Sequence, residues 1–273
     1  MENKKIDFFL HPRRFYYRKK KDFEIWVSNR KRIKQERKAK QNNYIFPLYE
    51  CKARFYLPYY NIDFIQKTIA STGKYFEINN LTFVNKQWNS GIIGEIIKNK
   101  AVLDIGANIG NHTLYYVLEC GANSVYCFEP VRETFDVLKK NVEINDIKNS
   151  VHLYNKGVGS ICGKAQVAFF DKENIGGTMI EPNNSGNIDL VSIDELNITE
   201  DIGLVKIDVE GFELEVLKGM LETLSKNKPY ITVEIRDRNF EIAQSMLLPL
   251  GYKYQEIEEH KDWRDYNDYL FYN

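Results

Sequence analysis

The chain has 273 residues, of which 43% are hydrophobic and 28% are charged, and its formal net charge is zero. A chain of this length and composition is expected to be globular and to bury a substantial core. No apolar run approaches the ~18 residues of a transmembrane helix, and the N-terminal apolar run Ile6–Leu10 is too short for a secretory signal.

Residues 1–45 are predicted to form a basic, aromatic-containing helical arm. Residues 1–40 hold fifteen Lys and Arg against five Asp and Glu, and residues 25–40 are predicted to be helical. Aromatic side chains among positive charges are typical of nucleic-acid and other anionic surfaces. The interpretation that we favour is an arm that packs its aromatic side chains on the domain or on a second subunit. The arm therefore suggests a homodimer, and nucleic acid is the less favoured partner.

Residues 46–100 are predicted to be a lead-in or cap segment. It contains strand-like pieces at Tyr75–Ile78 and Leu81–Val84 and a helical pattern near Ser90–Lys98. We expect this segment to cover the ligand pocket of the domain that follows it, residues 101–273.

Residues 101–130 have the pattern of a βαβ unit. A buried strand, Ala101–Ile105, leads into the glycine turn 106–110, a helix to about Cys120 and a second strand, Ser124–Phe128. The turn's glycines are predicted to let the backbone approach a ligand and to leave the N–H groups of the helix start unobstructed. Glu129 follows Gly110 by 19 residues, the spacing at which such a unit presents an acid to ribose hydroxyls.

The chemistry of the turn indicates which nucleoside binds. The second glycine of the dinucleotide pattern is replaced by Asn108, and Asp104 stands just before the turn. A carboxylate repels a pyrophosphate but attracts a sulfonium, so the predicted cofactor is S-adenosylmethionine. There are two alternatives: the turn binds a nicotinamide cofactor, or its glycines serve only the packing of the protein. The candidate cofactor-binding residues are Asp104, Gly106, Ala107, Asn108, Gly110, Asn111, Glu129 and Asn155.

The rest of the chain continues the alternation of strands and helices. Further strands are predicted at Val151–Tyr154, 166–170, Leu204–Val209, Tyr230–Ile235, Tyr252–Ile257 and Tyr269–Tyr272, the second of them in an inserted hairpin. The alternation predicts an α/β fold with a doubly wound, mostly parallel sheet. The last two strands are joined without a helix, so they should pair antiparallel. Seven strands with one reversed are expected of a Rossmann-like class I methyltransferase.

Charged residues on two central strands form a second candidate group. Lys206, Asp208 and Glu210 are predicted to share one face of the strand Leu204–Val209 by its period of two. Burying a charged side chain in a central strand costs free energy, so such a residue is expected to have a function or an oppositely charged partner. Together with Glu234 on the next strand, these carboxylates suit a general base or a divalent metal site, for which Asp208 and Glu234 are the candidates. An ion-pair network, such as Lys206 with Glu234, is the alternative.

Two further features concern the acceptor. The turn Asp208-Val209-Glu210-Gly211 stands where amine and amide methyltransferases usually carry Asn/Asp-Pro-Pro-Tyr/Phe, which favours an oxygen acceptor. His260 lies in the loop after the strand that starts at Tyr252, on the predicted cofactor side of the sheet. The candidate catalytic residues are Lys206, Asp208, Glu210, Glu234 and His260.

Several separated motifs resemble the FkbM-type methyltransferases. They cover roughly residues 80–258 and occur in the family's order: LDIGANIGNHT, FEP, GGT, SIDEL, KIDVEGFELEVLKG and VEIR. The resemblance implies an O-methyltransferase (EC 2.1.1.-) that uses S-adenosylmethionine, with residues 101–273 as the methyltransferase domain. It also implies a sugar acceptor, for which we expect a nucleotide sugar or a unit of a surface polysaccharide.

Two other functions are kept open, an RNA methyltransferase and a non-catalytic protein that keeps the adenosylmethionine fold.

The cysteines show no C-x-x-C pairing, which fits a reducing cytoplasm and argues against a zinc cluster or a disulfide framework. They are Cys51, Cys120, Cys127 and Cys162. A cytoplasmic location is therefore expected.

Overall fold

The structure is a computed structural model that describes residues 37–78, 81, 96–97, 99–258 and 265–273. The chain divides into two compact units, Met1–Ile45 and Phe46–Asn273, and the central sheet belongs to the second. Predictions for residues 1–36, 82–95 and 259–264, among them most of the basic arm and His260, fall outside the described residues.

The strands alternate with helices through most of the second unit. The strands are β1 (Ile45–Pro47), β2 (Arg54–Tyr56), β3 (Ala101–Ile105), β4 (Ser124–Phe128), β5 (Val151–Tyr154), β6 (Gly157–Val158), β7 (Gly163–Phe169), β8 (Met179–Pro182), β9 (Ile188–Val191), β10 (Ile202–Ile207), β11 (Tyr230–Arg236), β12 (Lys253–Glu258) and β13 (Tyr266–Tyr272). The helices are α1 (Phe64–Thr72), α2 (Asn111–Leu118), α3 (Arg132–Ile144), α4 (Glu213–Lys218), α5 (Leu221–Asn227) and α6 (Asp237–Leu247). Within the described ranges, no helix has the length and apolar character needed to cross a lipid bilayer.

Seven strands form the central sheet in the order β5, β4, β3, β10, β11, β13, β12. The first five are parallel to one another, and β13 runs antiparallel to both of its neighbours, β11 and β12. The predicted doubly wound, seven-stranded sheet with one reversed strand is therefore confirmed. The order changes direction between β3 and β10, which is where ligands of such sheets bind.

Both faces of the sheet are covered, as expected for parallel strands. Every residue of β3 is buried, and the strand alternates between two cores. Val102 packs into one core, with Leu114 of α2 and Leu138 of α3. Leu103 packs into the other, with Val216 of α4. The central strands are therefore rigid supports for the loops at their carboxyl ends.

The prediction for strand β10 was wrong at its carboxyl end. The strand stops at Ile207, two residues before the predicted end at Val209. Glu210 has a φ of +52°, a left-handed conformation that cannot continue a strand. Asp208 and Glu210 therefore belong to a turn after the strand, although Asp208 stays beside Lys206 as predicted, 3.3 Å from its ammonium nitrogen.

The region after this turn forms two short helices, α4 and α5, which meet at Gly219. The position of Gly219 has no room for a side chain, because a Cβ there would lie 2.0 Å from the Gly159 carbonyl oxygen. The inserted hairpin β7–β8 is part of a four-stranded sheet in the order β6, β9, β7, β8. Because β6 has only two residues, its sequence carries no alternation that would predict it.

Candidate active site

Two neighbouring clefts open at the carboxyl ends of the central strands. The first, called here the glycine-turn cleft, measures about 540 Å³ and is lined by residues that include Gly106, Asn108, Glu129, Val131, Thr178, Glu210 and Phe212. The second, the acidic cleft, measures about 520 Å³ and is lined by residues that include Glu77, His112, Tyr116, Lys206, Thr232, Glu234 and Asp268. Asp208 lines both clefts and therefore marks their junction.

The glycine turn is shaped by contacts within the protein. Gly106 has a φ of +79°, and a Cβ there would lie 1.7 Å from the carbonyl oxygen of Asp208. Gly110 has a φ of +89°, and a Cβ there would lie 2.7 Å from a methyl group of Leu138. Protein packing alone therefore accounts for glycine at both positions, and the prediction that the turn's backbone approaches a ligand stays a prediction, with Gly106 lining the cleft. Ala107 is buried and its N–H donates to the Phe128 carbonyl.

Glu129 is held at the rim of the glycine-turn cleft by backbone N–H groups. Its Oε2 accepts from the N–H of Asn108 and its Oε1 from the N–H of Val131, each at 2.9 Å. Burial raises the pKa of Glu129 to about 7, although both N–H groups oppose this shift. Asn155 donates to the carbonyl oxygens of Glu129 and Pro130 at 2.9 and 3.1 Å. The structure thus brings together Asn108, Glu129 and Asn155, three of the residues that the sequence predicts to bind the cofactor.

Asp104 lies inside the protein instead of at the cleft surface. Its side chain is fully buried, and its Oδ2 accepts from the Thr113 hydroxyl at 2.6 Å. Its Oδ1 lies 3.7 Å from the ammonium nitrogen of Lys206. The predicted direct contact between Asp104 and a cationic donor is therefore corrected, because the lysine is already the counter-ion of this carboxylate.

Lys206 joins the glycine turn to the end of β10. Its Nζ donates to the Gly106 carbonyl at 2.8 Å and lies 3.3 Å from Asp208 Oδ2. Burial lowers the pKa of Lys206, but Asp208 and Asp104 outweigh burial and raise it above its ordinary value, so the side chain stays an ammonium ion. Lys206 therefore takes part in an ion-pair network, as the alternative interpretation allowed, and its partners are Asp104 and Asp208 and not Glu234, the example considered there.

Three carboxylates converge at the junction of the clefts. Asp208, Glu210 and Glu234 each offer an oxygen within 4.8 Å of the others. Burial, and then the charges of Asp208 and Glu210, raise the pKa of Glu234 to about 10. Burial and Asp208 raise the pKa of Glu210 to about 7, while Arg236, 3.5 Å away, opposes the shift. At neutral pH the group therefore retains at least the proton of Glu234 and provides both proton acceptors and oxygen ligands.

Two neighbouring residues at the start of helix α2, the predicted Asn111 and His112, have different environments. The Asn111 amide is occupied by the lead-in segment, because it accepts from the Phe76 N–H at 2.9 Å and donates to the Phe76 carbonyl at 3.0 Å. It therefore fixes the lead-in segment to α2. His112 lines the acidic cleft, where burial and then the charge of Lys206 lower its pKa well below the ordinary value. Its imidazole is thus neutral at neutral pH.

Sequence reasoning missed several residues that line the clefts. Tyr116 follows His112 by one helical turn, so the helical period carries a signal for it. Asp268 lies opposite Glu234 in the pairing of β11 with β13, a register that the sequence alone does not fix. The insert loop, residues 170–178, contributes Ile175, Gly176 and Thr178 to the glycine-turn cleft.

The chain is similar in sequence to known methyltransferases. The family model of the methyltransferase FkbM domain matches residues 104–271. The chain is 32% identical to the hexuronic acid methyltransferase AglP of Haloferax volcanii, over 53% of this chain and 59% of that protein. It is 26% identical to methyltransferase sdnD of Sordaria araneosa, over 56% of this chain and 78% of that protein. A crystal structure of methyltransferase FkbM from Methylobacillus flagellatus is 22% identical with a TM-score of 0.48, over 64% of this chain and 44% of that one.

Proposed function

We propose that this chain, which belongs to the FkbM methyltransferase family, transfers the methyl group of S-adenosylmethionine to a hydroxyl group of a sugar. The family membership confirms the predicted resemblance and makes the protein a methyltransferase. The observation that supports the oxygen acceptor is the group of three carboxylates at the junction of the two clefts. A hydroxyl is a poor nucleophile and must lose its proton as the methyl group is transferred.

The glycine-turn cleft is the proposed donor site. Glu129 is fixed at its rim with two backbone hydrogen bonds, and its carboxylate oxygens retain lone pairs that can accept from ribose hydroxyls. Asn108 lines the same cleft, and Asn155 supports Glu129 by donating to its backbone carbonyl oxygen at 2.9 Å. Bound S-adenosylmethionine supplies an activated methyl group on a sulfonium. Because Asp104 is neutralised by Lys206, the negative charge that faces the donor comes from the turn after β10.

Asp208 is the proposed general base. It is the residue that lines both clefts, so it stands where the methyl donor and the acceptor hydroxyl must meet. The Lys206 ammonium group 3.3 Å away fixes its position. The neighbouring Glu210 and Glu234 complete a set of oxygen ligands of the kind that magnesium prefers. A metal-assisted route, with Asp208 and Glu234 as the metal candidates, is the alternative way to acidify the hydroxyl.

The sugar acceptor is proposed on two grounds. The turn after β10 lacks the Asn/Asp-Pro-Pro-Tyr/Phe motif of amine and amide methyltransferases. The relative AglP carries the name of a hexuronic acid methyltransferase. Within this class we propose a nucleotide sugar or a unit of a surface polysaccharide, and a cytoplasmic enzyme.

Isothermal titration with S-adenosylhomocysteine tests the donor site, with Glu129→Ala as the binding-deficient control. Incubation with methyl-labelled S-adenosylmethionine and a panel of nucleotide sugars, followed by mass spectrometry, then tests the acceptor. We expect one sugar to gain a single labelled methyl group on oxygen. Absence of any binding of the donor product, or transfer to RNA instead of every sugar, would contradict the proposal.

A further inference from the structure

Asp63 connects the lead-in segment to the insert loop through a buried carboxylate. The residue precedes helix α1, and only 2% of its surface is exposed. Its Oδ1 accepts from the Gln66 N–H at 2.9 Å, which caps the amino terminus of α1. Its Oδ2 accepts from the Ile175 N–H at 3.0 Å, across 112 residues of sequence. One carboxylate therefore satisfies backbone donors of two separate segments.

The contact continues on both sides of this hydrogen bond. The Phe64 N–H donates to the Glu173 carbonyl at 2.8 Å. A Cβ on Gly176 would lie 2.7 Å from Ile65 Cδ1 and 2.6 Å from Asn108 Nδ2. The backbone at Gly176 is thus packed closely against two side chains, that of Ile65 in the first turn of α1 and that of Asn108 in the glycine turn.

The segment that Asp63 holds is part of the proposed donor site. Ile175 and Gly176 line the glycine-turn cleft together with Asn108 and Glu129. A loop that is already ordered costs less entropy to immobilise when a ligand binds. The Asp63 hydrogen bond is therefore placed to keep one wall of the cleft ordered before the donor arrives.

We propose that Asp63 is a positioning residue, which holds the insert loop against the glycine turn and so sets the affinity for the methyl donor. This inference rests on the proposed function of the glycine-turn cleft. It gives the lead-in segment a specific role, because that segment shapes the donor site through the insert loop.

The substitution Asp63→Asn separates the two hydrogen bonds. Asparagine caps helices about as well as aspartate, so its amide oxygen can retain the bond from Gln66. Its amide nitrogen then faces the Ile175 N–H, and two donors cannot bond to each other. Asp63→Ser is the second variant, since serine also caps helices and is too short to reach Ile175.

Asp171→Asn is the matched control for loss of a carboxylate at the insert loop. Asp171 Oδ1 accepts from the Glu173 N–H at 2.8 Å, and an asparagine oxygen can accept the same bond. The control therefore changes the charge of the insert loop but keeps its hydrogen bonds.

Two measurements on the full-length chain test the proposal, isothermal titration with S-adenosylhomocysteine and hydrogen exchange of residues 173–178 without ligand. For Asp63→Asn and Asp63→Ser we expect affinity about tenfold weaker than that of the wild type and faster exchange in this segment. Asp171→Asn should match the wild type in both. Unchanged affinity, or weaker affinity with unchanged exchange, would overturn the proposal. If the wild-type chain binds no S-adenosylhomocysteine, the proposed function fails, whereas the exchange data still report whether Asp63 orders the loop.

Discussion

The Lys206 ammonium group donates a hydrogen bond to the Gly106 carbonyl oxygen, with 2.8 Å between nitrogen and oxygen. This bond ties the end of β10 to the glycine turn after β3, its neighbour in the sheet. The same ammonium group neutralises the fully buried Asp104 and lies 3.3 Å from Asp208. One buried cation thus sets the relative position of the proposed donor cleft and the proposed base.

The substitution Lys206→Met is expected to destabilise the fold by about 3–5 kcal/mol, because it leaves the buried Asp104 without its counter-ion. Urea denaturation followed by circular dichroism measures the change. The double variant Asp104→Asn/Lys206→Met should regain part of the loss, since it removes the uncompensated charge. Lys164→Met is the control, because the Lys164–Asp189 pair is half exposed and should contribute little. A loss for Lys206→Met as small as that of the control would contradict the buried ion pair.

The substitution Asp208→Asn is expected to lower the rate of methyl transfer by about 10²- to 10⁴-fold, the contribution typical of a general base. Affinity for S-adenosylhomocysteine should stay within about threefold, since this ligand lacks the sulfonium charge that the turn after β10 would attract and the Glu129 contacts are unchanged. Single-turnover transfer of labelled methyl groups to the acceptor measures the rate, and Asp136→Asn on the exposed face of α3 is the control.

Chelation distinguishes the two ways in which the carboxylates can act. If Asp208 accepts the proton directly, as proposed, treatment with EDTA should leave the rate of the wild-type enzyme unchanged. A rate that falls on chelation and returns with magnesium would assign the group of Asp208, Glu210 and Glu234 to a metal ion instead.

The sequence predicted the sheet well because its buried strands are strongly patterned. All of β3 is buried, and its residues 101–105 were placed correctly. The pairing partners of charged side chains were harder to predict, because they depend on register and on where a strand stops. Glu234 was one possible partner of Lys206 in the alternative ion-pair network, yet β10 ends at Ile207 and Asp208, just after the strand, lies 3.3 Å from the lysine. The bond from Ile175 to Asp63 joins segments with no shared pattern, so no period in the sequence indicates it.

Glu234 is expected to make stability fall as pH rises. Its pKa is about 10 in the folded protein, raised from 4.5 by burial and by neighbouring carboxylates. The folded state therefore binds the proton of Glu234 more tightly than the unfolded state does. The resulting contribution to the free energy of unfolding is complete below about pH 4.5 and is lost as pH rises toward 10. The slope is at most about 1.4 kcal/mol per pH unit for one proton. Urea denaturation of wild type and Glu234→Gln at about pH 5, 7 and 9 measures it. The free energy of unfolding of Glu234→Gln, relative to that of the wild type, should rise with pH. If the two free energies change in parallel with pH, the raised pKa of Glu234 would be refuted.

Glu129 is expected to make donor affinity rise with pH. Burial raises its pKa to about 7, and the ionised carboxylate accepts stronger hydrogen bonds from ribose hydroxyls than the protonated form. Between about pH 6 and about pH 8, affinity for S-adenosylhomocysteine should increase by about five- to tenfold, in proportion to the ionised fraction. Isothermal titration across this range measures the dependence. Glu129→Gln should bind more weakly, because one amide oxygen cannot replace both acceptors for Asn108 and Val131, and its affinity should no longer vary with pH. If the variant keeps the pH dependence of the wild type, another group carries it and Glu129 does not contact the ribose.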